Sequence, residues 1–498
     1  MKIPLAELLL NSLGSSVNAD MPTHRRICDL IRQAVLSHQL QGGSKLPSSR
    51  NLAADIGCSR NTVIAAYEQL LAEGYVVAQI GSGTVVADTL PTHQLETQQV
   101  TDLGTMPRGL SLRGKKLTAS PSDSFYEIQE FIQGANDFSV FPYKIWQKLQ
   151  NKYWREPQSA FMDYARLGGY QPLRAVLAEY LRVSRSVRCE PEQILITAGT
   201  QQSLDLCANL LADSNDLVWM ENPGYWGARR VFESNDLSLR PIDVDGDGIS
   251  PNFADLQTMP KLIYVTPSHQ YPLDIVMSLT RRRLLIEFAA SVGAWILEDD
   301  YDSEFRYKGR PIASLQGLDH HDRVIYCGTF SKVLYPGIRI GYVVVPKDLI
   351  APFRTGLADI HRPGQMAVQA ALADFIQQGH FAKHVRNVRA RYGQSRALLQ
   401  HTLQHQLLPS ARLSNADAGL HLVIHLPDFC DDVKLAAEAR LQQIDIRPLS
   451  AYYVAPPVTR GVVVGYGYMP LEQIVPAATR LADLVNRHMV ASHQPVLV

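Results

Sequence analysis

The residue best placed for chemistry is a lone lysine in the run Gly328-Thr329-Phe330-Ser331-Lys332-Val333-Leu334-Tyr335-Pro336-Gly337-Ile338-Arg339-Ile340-Gly341-Tyr342. It follows small hydroxyl residues and an apolar, strand-like segment, Val324-Ile325-Tyr326-Cys327, and Arg339 comes seven positions later. In a partly desolvated, cationic pocket a lysine loses pKa and gains nucleophilicity, which makes Lys332 a Schiff-base candidate. The hydroxyls and Arg339 suit a phosphate. Against this, a lysine at a strand end is usually solvated, and Gly-Thr and Pro-Gly are common turn punctuation.

A second element lies upstream: Trp295-Ile296-Leu297-Glu298-Asp299-Asp300-Tyr301-Asp302-Ser303-Glu304-Phe305-Arg306-Tyr307, an apolar run ending in acids and a tyrosine. Pyridoxal phosphate chemistry needs a carboxylate on the pyridinium nitrogen, because the protonated ring is the electron sink. The pair of elements resembles the fold-type I aminotransferases. The resemblance implies Lys332 as the Schiff-base lysine, Asp299 on the ring nitrogen, Tyr301 on the phenolic oxygen, and Thr329, Ser331 and Arg339 on the phosphate.

These residues need a scaffold of strands. From Ile194 onward, apolar runs alternate with helical stretches: Ile194–Thr197, Leu217–Met220, Leu262–Thr266, Trp295–Leu297, Val324–Cys327 and Ile340–Val345. Such runs suit strands covered on both faces, and the alternation predicts a mainly parallel sheet in an α/β domain. Ligands of open α/β sheets sit at the carboxyl ends of strands, where motif residues recur. Ala198-Gly199-Thr200-Gln201-Gln202 opens a helix whose amides suit a phosphate, and Tyr225 of Glu221-Asn222-Pro223-Gly224-Tyr225 suits stacking on a pyridine ring. In Thr266-Pro267-Ser268-His269-Gln270-Tyr271-Pro272, the aminotransferase pattern has Asn where this chain has Tyr271, and Gly where it has Asp274. His269 is therefore expected to take part in the contact to the phenolic oxygen. Asp163-Tyr164 precedes the Gly168-Gly169 pair, and the resemblance places Tyr164 at the phosphate of the neighbouring subunit.

The N-terminal part reads differently. Ile27, Leu30, Ile31, Ala34 and Val35 repeat at helical spacing, and Gln41-Gly42-Gly43-Ser44 breaks the chain. Ser49 is the expected N-cap of a short helix ending at Gly57, and Ser59 caps the next, with an apolar face of Val63, Ala66, Tyr67, Leu70 and Leu71. Two short helices joined by a glycine-containing turn form a helix-turn-helix candidate, with Ser59-Arg60-Asn61-Thr62 at the end that enters the major groove. Val76–Val86 reads as two strands around Gly-Ser-Gly, a wing. Charge is uninformative, because residues 1–90 hold seven basic and seven acidic side chains. The motifs Leu46-Pro-Ser-Ser-Arg, Ser59-Arg60-Asn61-Thr62-Val63, Glu73-Gly74 and Gly81-Ser-Gly-Thr84 resemble the winged helix-turn-helix of GntR regulators, which implies that Arg50, Ser59, Arg60, Asn61, Thr62 and Gly83 approach double-stranded DNA.

The whole chain supports this division. At 498 residues it is long enough for two or three domains, and Lys+Arg balance Asp+Glu at 48 each, so any nucleic-acid site must be local. Cysteines 28, 58, 189, 207, 327 and 430 show neither C-x-x-C nor zinc-ligand spacing, which fits reduced thiols and no metal. No apolar run is long enough to span a membrane. A cytoplasmic protein is expected, with a winged helix-turn-helix at 20–88, a flexible linker at 89–124 and an aminotransferase-like domain at 125–488 that ends in a smaller α+β subdomain. The basic run Arg108 to Lys116 is read mainly as solvated linker.

In that order the parts resemble the MocR subfamily of GntR regulators. Ser-His-Gln-Tyr-Pro, Glu-Asp-Asp-Tyr-Asp-Ser-Glu-Phe-Arg and Pro448-Leu-Ser-Ala-Tyr-Tyr453 carry that likeness. It implies a homodimeric, pyridoxal 5'-phosphate-dependent transcriptional regulator of vitamin B6 or amine and amino-acid metabolism, in which an amine ligand displaces Lys332 as an external aldimine. The competing reading is an aminotransferase with an appended DNA-binding domain; an apo DNA-binding protein with a vestigial domain ranks last, given the retained Lys332 and Asp299. Gly227 stands where γ-aminobutyrate-responsive members carry a carboxylate-binding Arg, with Arg229 and Arg230 shifted from it. Gly461 to Gly467, where aminotransferases keep another, contains no Arg, and Arg460 and Arg447 lie outside it. The expected ligand is therefore pyridoxal phosphate itself or an amine without a simple α-carboxylate.

Overall fold

A computed structural model describes residues 5–6, 9–10, 21–37, 39–79, 83–88, 109–118, 129–155, 159–164, 168–309, 312–414 and 417–493. The chain divides into two compact units, Met1–Gly109 and Leu110–Val498.

In the first unit, α1 (Thr23–Leu36) buries Ile27, Cys28, Ile31, Ala34 and Val35, one stripe of a 3.6-residue period. Helix α2 (Ser49–Asp55) is capped by Ser48, whose hydroxyl accepts from Asn51 N at 3.2 Å. The cap lies one residue before the expected Ser49, because Ser48 is the last extended residue and Ser49 is already helical. Helix α3 (Arg60–Ala72) begins at Ser59 as expected, with the Ser59 hydroxyl accepting from Thr62 N at 3.2 Å. Val63, Ala66, Tyr67 and Leu70 are buried, whereas Leu71 faces out, 46% exposed. The Tyr67 hydroxyl donates to Pro47 O at 2.9 Å and ties α3 to the entrance of α2. Strands β1 (Val76–Gln79) and β2 (Gly83–Val86) pair antiparallel, Val76 with Val86 and Gln79 with Gly83. Gly81 and Ser82 of the expected wing turn lie outside the described residues. Ile31, Leu52, Val63, Leu70, Val76 and Val86 share one core.

The second unit is built from α4 (Leu112–Thr118), α5 (Gln171–Arg185), β3 (Ile194–Thr197), α6 (Thr200–Leu211), β4 (Leu217–Asn222), α7 (Trp226–Ser234), β5 (Ser238–Asp245), β6 (Gly248–Ile249), β7 (Leu262–Val265), α8 (Leu279–Val292), β8 (Trp295–Asp300), β9 (Val324–Thr329) and β10 (Gly341–Val344), among others. A smaller lobe follows, with α9 (His380–Gln406), β11 (Arg412–Leu413), β12 (His421–Leu426), α10 (Asp432–Arg440), β13 (Arg447–Pro448), β14 (Arg460–Gly465) and α11 (Leu471–His493).

The large sheet has the order β3-β10-β9-β8-β7-β4-β5-β6. Strands β5, β4, β7, β8 and β9 run parallel, and β10 is antiparallel between β9 and β3. Alternate residues of β7 and β8 enter two different cores: Leu262, Tyr264 and Leu297 on one face, Ile263, Val265 and Ile296 on the other. Burial on both faces explains their continuous apolar sequence; each such side chain contributes about 1.5–3 kcal/mol. Strand β5 reads Ser-Leu-Arg-Pro-Ile-Asp-Val-Asp and is only partly buried, so a search for apolar runs passes over it. The small sheet, β11-β12-β14-β13, is antiparallel throughout.

Within the expected linker, 112–118 is helical and docks on the second unit: Arg113 donates to Ser234 O at 3.0 Å and Arg230 to Leu117 O at 3.3 Å. Most of 89–124 lies outside the described residues.

Candidate functional site

The carboxyl ends of β7, β8 and β9, the first turn of α6 and strand β13 enclose a cavity of about 370 Å³. Thr200, Gln201, Tyr225, Asp299, Tyr301, Thr329, Ser331, Lys332 and Arg339 all line it, so nine residues scattered over 140 positions of sequence converge as expected.

Lys332 Nζ donates to Gly134 O at 3.4 Å. Burial lowers its pKa, with the Arg447 charge adding to the effect and Asp302 and Asp299 opposing it. Gly134 has φ +71°, which favours glycine, and a Cβ there would stand 2.4 Å from Lys332 Nζ and displace the end of that side chain. Asp299 accepts from the Tyr264 hydroxyl through Oδ2 at 2.8 Å, while its buried Oδ1 has no hydrogen-bond partner among the described residues. Burial, reinforced by Asp300 and Asp302, pushes this carboxyl up to about 7. An orphaned carboxylate oxygen in the wall of a cavity fits the pyridinium N–H of pyridoxal phosphate, and a bound cation there would reverse the shift.

At the other end, α6 starts from Gly199 with no side-chain cap, leaving its first amides open to an anion. Arg339, with φ +49°, lines the cavity close to Gly199, where a Cβ would stand 3.7 Å from its guanidinium nitrogens. Thr329 Oγ1 accepts from Ser331 N at 3.2 Å. Gln201 Nε2 donates to the Tyr225 hydroxyl at 3.0 Å, and burial raises that phenol to about 12. These donors fit a phosphate and the Tyr225 ring fits a stacked heterocycle.

Two expected residues stand elsewhere. His269 does not line the cavity: it is 2% exposed and lies behind Tyr301, its Nδ1 2.8 Å from Asp302 Oδ2 and 2.9 Å from the Tyr301 hydroxyl. Its Nδ1 faces protein groups on both sides, and the ring is not part of the cavity wall. Tyr164 is 54% exposed and outside the cavity of its own chain.

Other cavity residues were given no role from sequence, Tyr271 being noted only as a departure from the Asn of the pattern and Arg447 as lying outside the expected strand. Tyr264 sits in an apolar run that reads as core. Tyr271 donates to Gln133 Oε1 at 2.9 Å and lies 3.1 Å from the Tyr452 hydroxyl, which also donates to Gln133 at 2.7 Å. Arg447, set aside in the sequence because it lies upstream of the run from Gly461 to Gly467, lines the cavity. On β13 it pairs with Val463 of β14, a strand that opens with Arg460, whereas Arg460 itself turns to Asp432. The visible signal was only a strand-like Ile444-Asp445-Ile446-Arg447-Pro448; the cross-strand register was not. His421 also lines the cavity.

His269, Asp274 and His421 place ligand-type atoms within 4.8 Å of one another. Asp274 Oδ1 is 3.0 Å from His269 Nε2 and 2.9 Å from His421 Nε2, and His421 Nε2 also donates to Pro272 O at 3.0 Å. These atoms face one another at ion-pair distance, His269 Nε2 and Asp274 Oδ1 without hydrogen-bond geometry.

In the first unit, Arg50, Ser59, Arg60, Asn61 and Gly83 are exposed and Thr62 is half-buried, its hydroxyl 2.8 Å from that of Ser59. Arg60 and Asn61 open α3, the geometry of a recognition helix.

A mostly parallel sheet whose strand ends gather a lysine, a buried aspartate and an arginine is a fold-type I pyridoxal-phosphate-binding domain, and the winged helix ahead of it makes the class a cofactor-binding transcriptional regulator. Residues 133–461 match the model of aminotransferase class I and II, and residues 23–86 that of bacterial regulatory proteins, gntR family. The chain is 38% identical over 450 residues to the probable rhizopine catabolism regulatory protein MocR of Rhizobium meliloti, covering 90% of this chain and 91% of that one. It is 31% identical over 482 residues to the HTH-type pyridoxine biosynthesis transcriptional regulator PdxR of Corynebacterium glutamicum, covering 96% and 100%. Among solved structures, Pyrococcus horikoshii kynurenine aminotransferase superposes with a TM-score of 0.70 at 25% identity over 77% of this chain and 98% of that one. The chain belongs to the MocR-type GntR regulators: a GntR helix-turn-helix domain followed by a pyridoxal-phosphate-binding aminotransferase domain. Among the described residues no helix is long and apolar enough to cross a membrane.

Proposed function

We propose that this regulator senses pyridoxal phosphate, or an amine that reacts with it, in the cavity around Lys332, and that occupancy changes its affinity for an operator as a cytoplasmic homodimer. The observation that carries the proposal is the convergence of Lys332, Asp299, Tyr301 and Arg339 on one cavity in a chain whose first unit presents Arg60 and Asn61 from a capped helix. When bound, the cofactor supplies an electrophilic carbonyl carbon to an amine.

The protein supplies the rest. Desolvation keeps the Lys332 amine nucleophilic, and Asp299 supplies the counter-charge for a ring nitrogen. Thr329, Ser331, Arg339, Thr200 and the amides opening α6 hold the phosphate, with Tyr164 reaching it from the neighbouring subunit. Tyr225 and Gln201 cover the ring, and Tyr301 donates to the phenolic oxygen. Arg447 adds a second guanidinium to the cavity beside Arg339, which extends the candidate ligands to amines that carry an anionic group. Arg50, Ser59, Arg60, Asn61, Thr62 and Gly83 contact DNA.

The relatives' names, one for pyridoxine biosynthesis and one for rhizopine catabolism, support a target in vitamin B6 or amine metabolism. They favour regulation over the aminotransferase reading, since the likeness to both extends through the DNA-binding part. Purified protein with pyridoxal phosphate is expected to show a visible absorption band that is lost in Lys332→Ala. DNA from its own upstream region should be retained in a gel shift with a cofactor-dependent affinity. A cofactor band with no DNA retention under any ligand condition would turn the assignment toward the aminotransferase.

A further inference from the structure

A buried ionic cluster lies behind the cavity wall. Asp274 occupies the position where the aminotransferase pattern has glycine, and it keeps a left-handed backbone, φ +63°. A side chain in that conformation costs on the order of 1 kcal/mol, so its contacts must offset strain. Its Oδ1 lies between His269 Nε2 and His421 Nε2, and Oδ2 accepts from the Ser414 hydroxyl, which is itself fixed by accepting from Val423 N at 2.9 Å.

His269 therefore has a carboxylate against each ring nitrogen, Asp274 at Nε2 and Asp302 at Nδ1, and all three side chains are 1% exposed. The ring cannot turn away: a Cβ on Gly419 would stand 2.0 Å from its Cε1, so that backbone is packed on it. The titratable groups facing His269 are Asp302 and Tyr301 from the segment after β8, Asp274 from its own loop, and His421 from β12 at a ring-centroid distance of 5.4 Å. His425, also on β12, acts on Asp274 from farther off.

We propose that Asp274 is a positioning residue that, with Asp302, holds His269 as an imidazolium beneath Tyr301, leaving Tyr301 its own proton to donate to the cofactor's phenolic oxygen. A carboxylate stands at each ring nitrogen, Asp302 in hydrogen-bond geometry and Asp274 at ion-pair distance without it, which favours the doubly protonated ring, and an imidazolium has no lone pair with which to accept the phenol hydrogen. The Tyr301 oxygen, 2.9 Å from Nδ1, can then act toward the ring only as an acceptor that shares the Nδ1–H with Asp302 Oδ2, and its own hydrogen is left free. Burial opposes the charge, but Asp302 and Asp274 together push His269 up to about 10. Asp274 in turn is held well below the usual carboxylate range, burial being outweighed by His421 and His269.

The inference rests on Tyr301 as the partner of the phenolic oxygen, and the experiment separates the two. The pH midpoint of the bound cofactor's absorption band is measured for wild type, Tyr301→Phe, Asp274→Gly and the double variant, beside ¹⁵N spectra of histidine-labelled protein with His269→Gln for assignment. Asp274→Gly suits the left-handed backbone but unpairs buried groups, so the melting temperature of each variant is recorded beside the midpoint. Loss of positive potential at the phenolic oxygen is expected to raise the midpoint by about half a unit to one unit, in the direction of Tyr301→Phe and without adding to it. His269 should be charged at pH 8 in wild type and neutral in Asp274→Gly. A midpoint moved by Tyr301→Phe but not by Asp274→Gly, or a neutral His269 in wild type, overturns the inference alone. A midpoint unmoved by Tyr301→Phe overturns the underlying reading and the inference with it.

Discussion

Asp299 shows how one side chain combines folding and function. Its carboxyl is buried with one oxygen unpaired and is pushed up to about 7, so in the cofactor-free protein it binds a proton that the unfolded chain has released above about pH 4. A raised acid contributes stability at low pH that is lost as pH rises through its folded pKa. The melting temperature of cofactor-free protein should therefore fall between about pH 5 and 7, and Asp299→Asn should flatten that slope. The same variant should weaken pyridoxal phosphate binding by roughly a hundredfold or more, since removing one partner of a buried pair costs about 3 kcal/mol. Superimposable melting curves would show an ionised carboxylate throughout. Lys332 and Arg339 were legible in the sequence because charged and hydroxyl residues interrupt otherwise apolar runs, whereas the resemblance to fold-type I aminotransferases singled out Asp299 among Glu298, Asp299 and Asp300. Tyr264 and Arg447 were not legible, since a tyrosine within an apolar strand and an arginine on a two-residue strand carry no local mark of what they face.

At the scale of elements, helix α3 ties stability to recognition. Ser59 caps it and Arg60 and Asn61 extend from its first turn. Ser59→Ala should destabilise the first unit by about 1 kcal/mol, whereas Arg60→Ala should leave melting unchanged and weaken operator binding by about 1–3 kcal/mol. Binding measured across a salt series distinguishes what Arg60 touches: a lower slope marks a phosphate contact, an unchanged slope with relaxed sequence preference a base contact. Apolar runs revealed the central strands because both faces are covered. Strand β5 escaped because its burial is partial, and the cap at Ser48 was missed by one residue because adjacent serines are chemically equivalent until the backbone chooses between them.

For the whole molecule, Tyr164 bears on assembly. It is exposed and lies outside its own chain's cavity, which supports a site completed across a homodimer. Sedimentation should show a dimer at working concentration, and Tyr164→Ala should remain dimeric yet bind pyridoxal phosphate several-fold more weakly, about 1 kcal/mol for one lost hydrogen bond. A monomer with undiminished cofactor affinity would contradict a shared site. The order of the two parts, the strand-rich core and the lysine-aspartate-arginine set follow from sequence alone, because hydrophobic period and special residue types are local properties. Which side chains share the cavity was decided by tertiary structure. Parallel register places Tyr264 of β7 beside Asp299 of β8, antiparallel register places Arg447 across from Val463, and burial sets His269 behind Tyr301 instead of in the cavity wall. Each depends on contacts between residues far apart in the chain, and no local pattern encodes the distance between two strands' side chains.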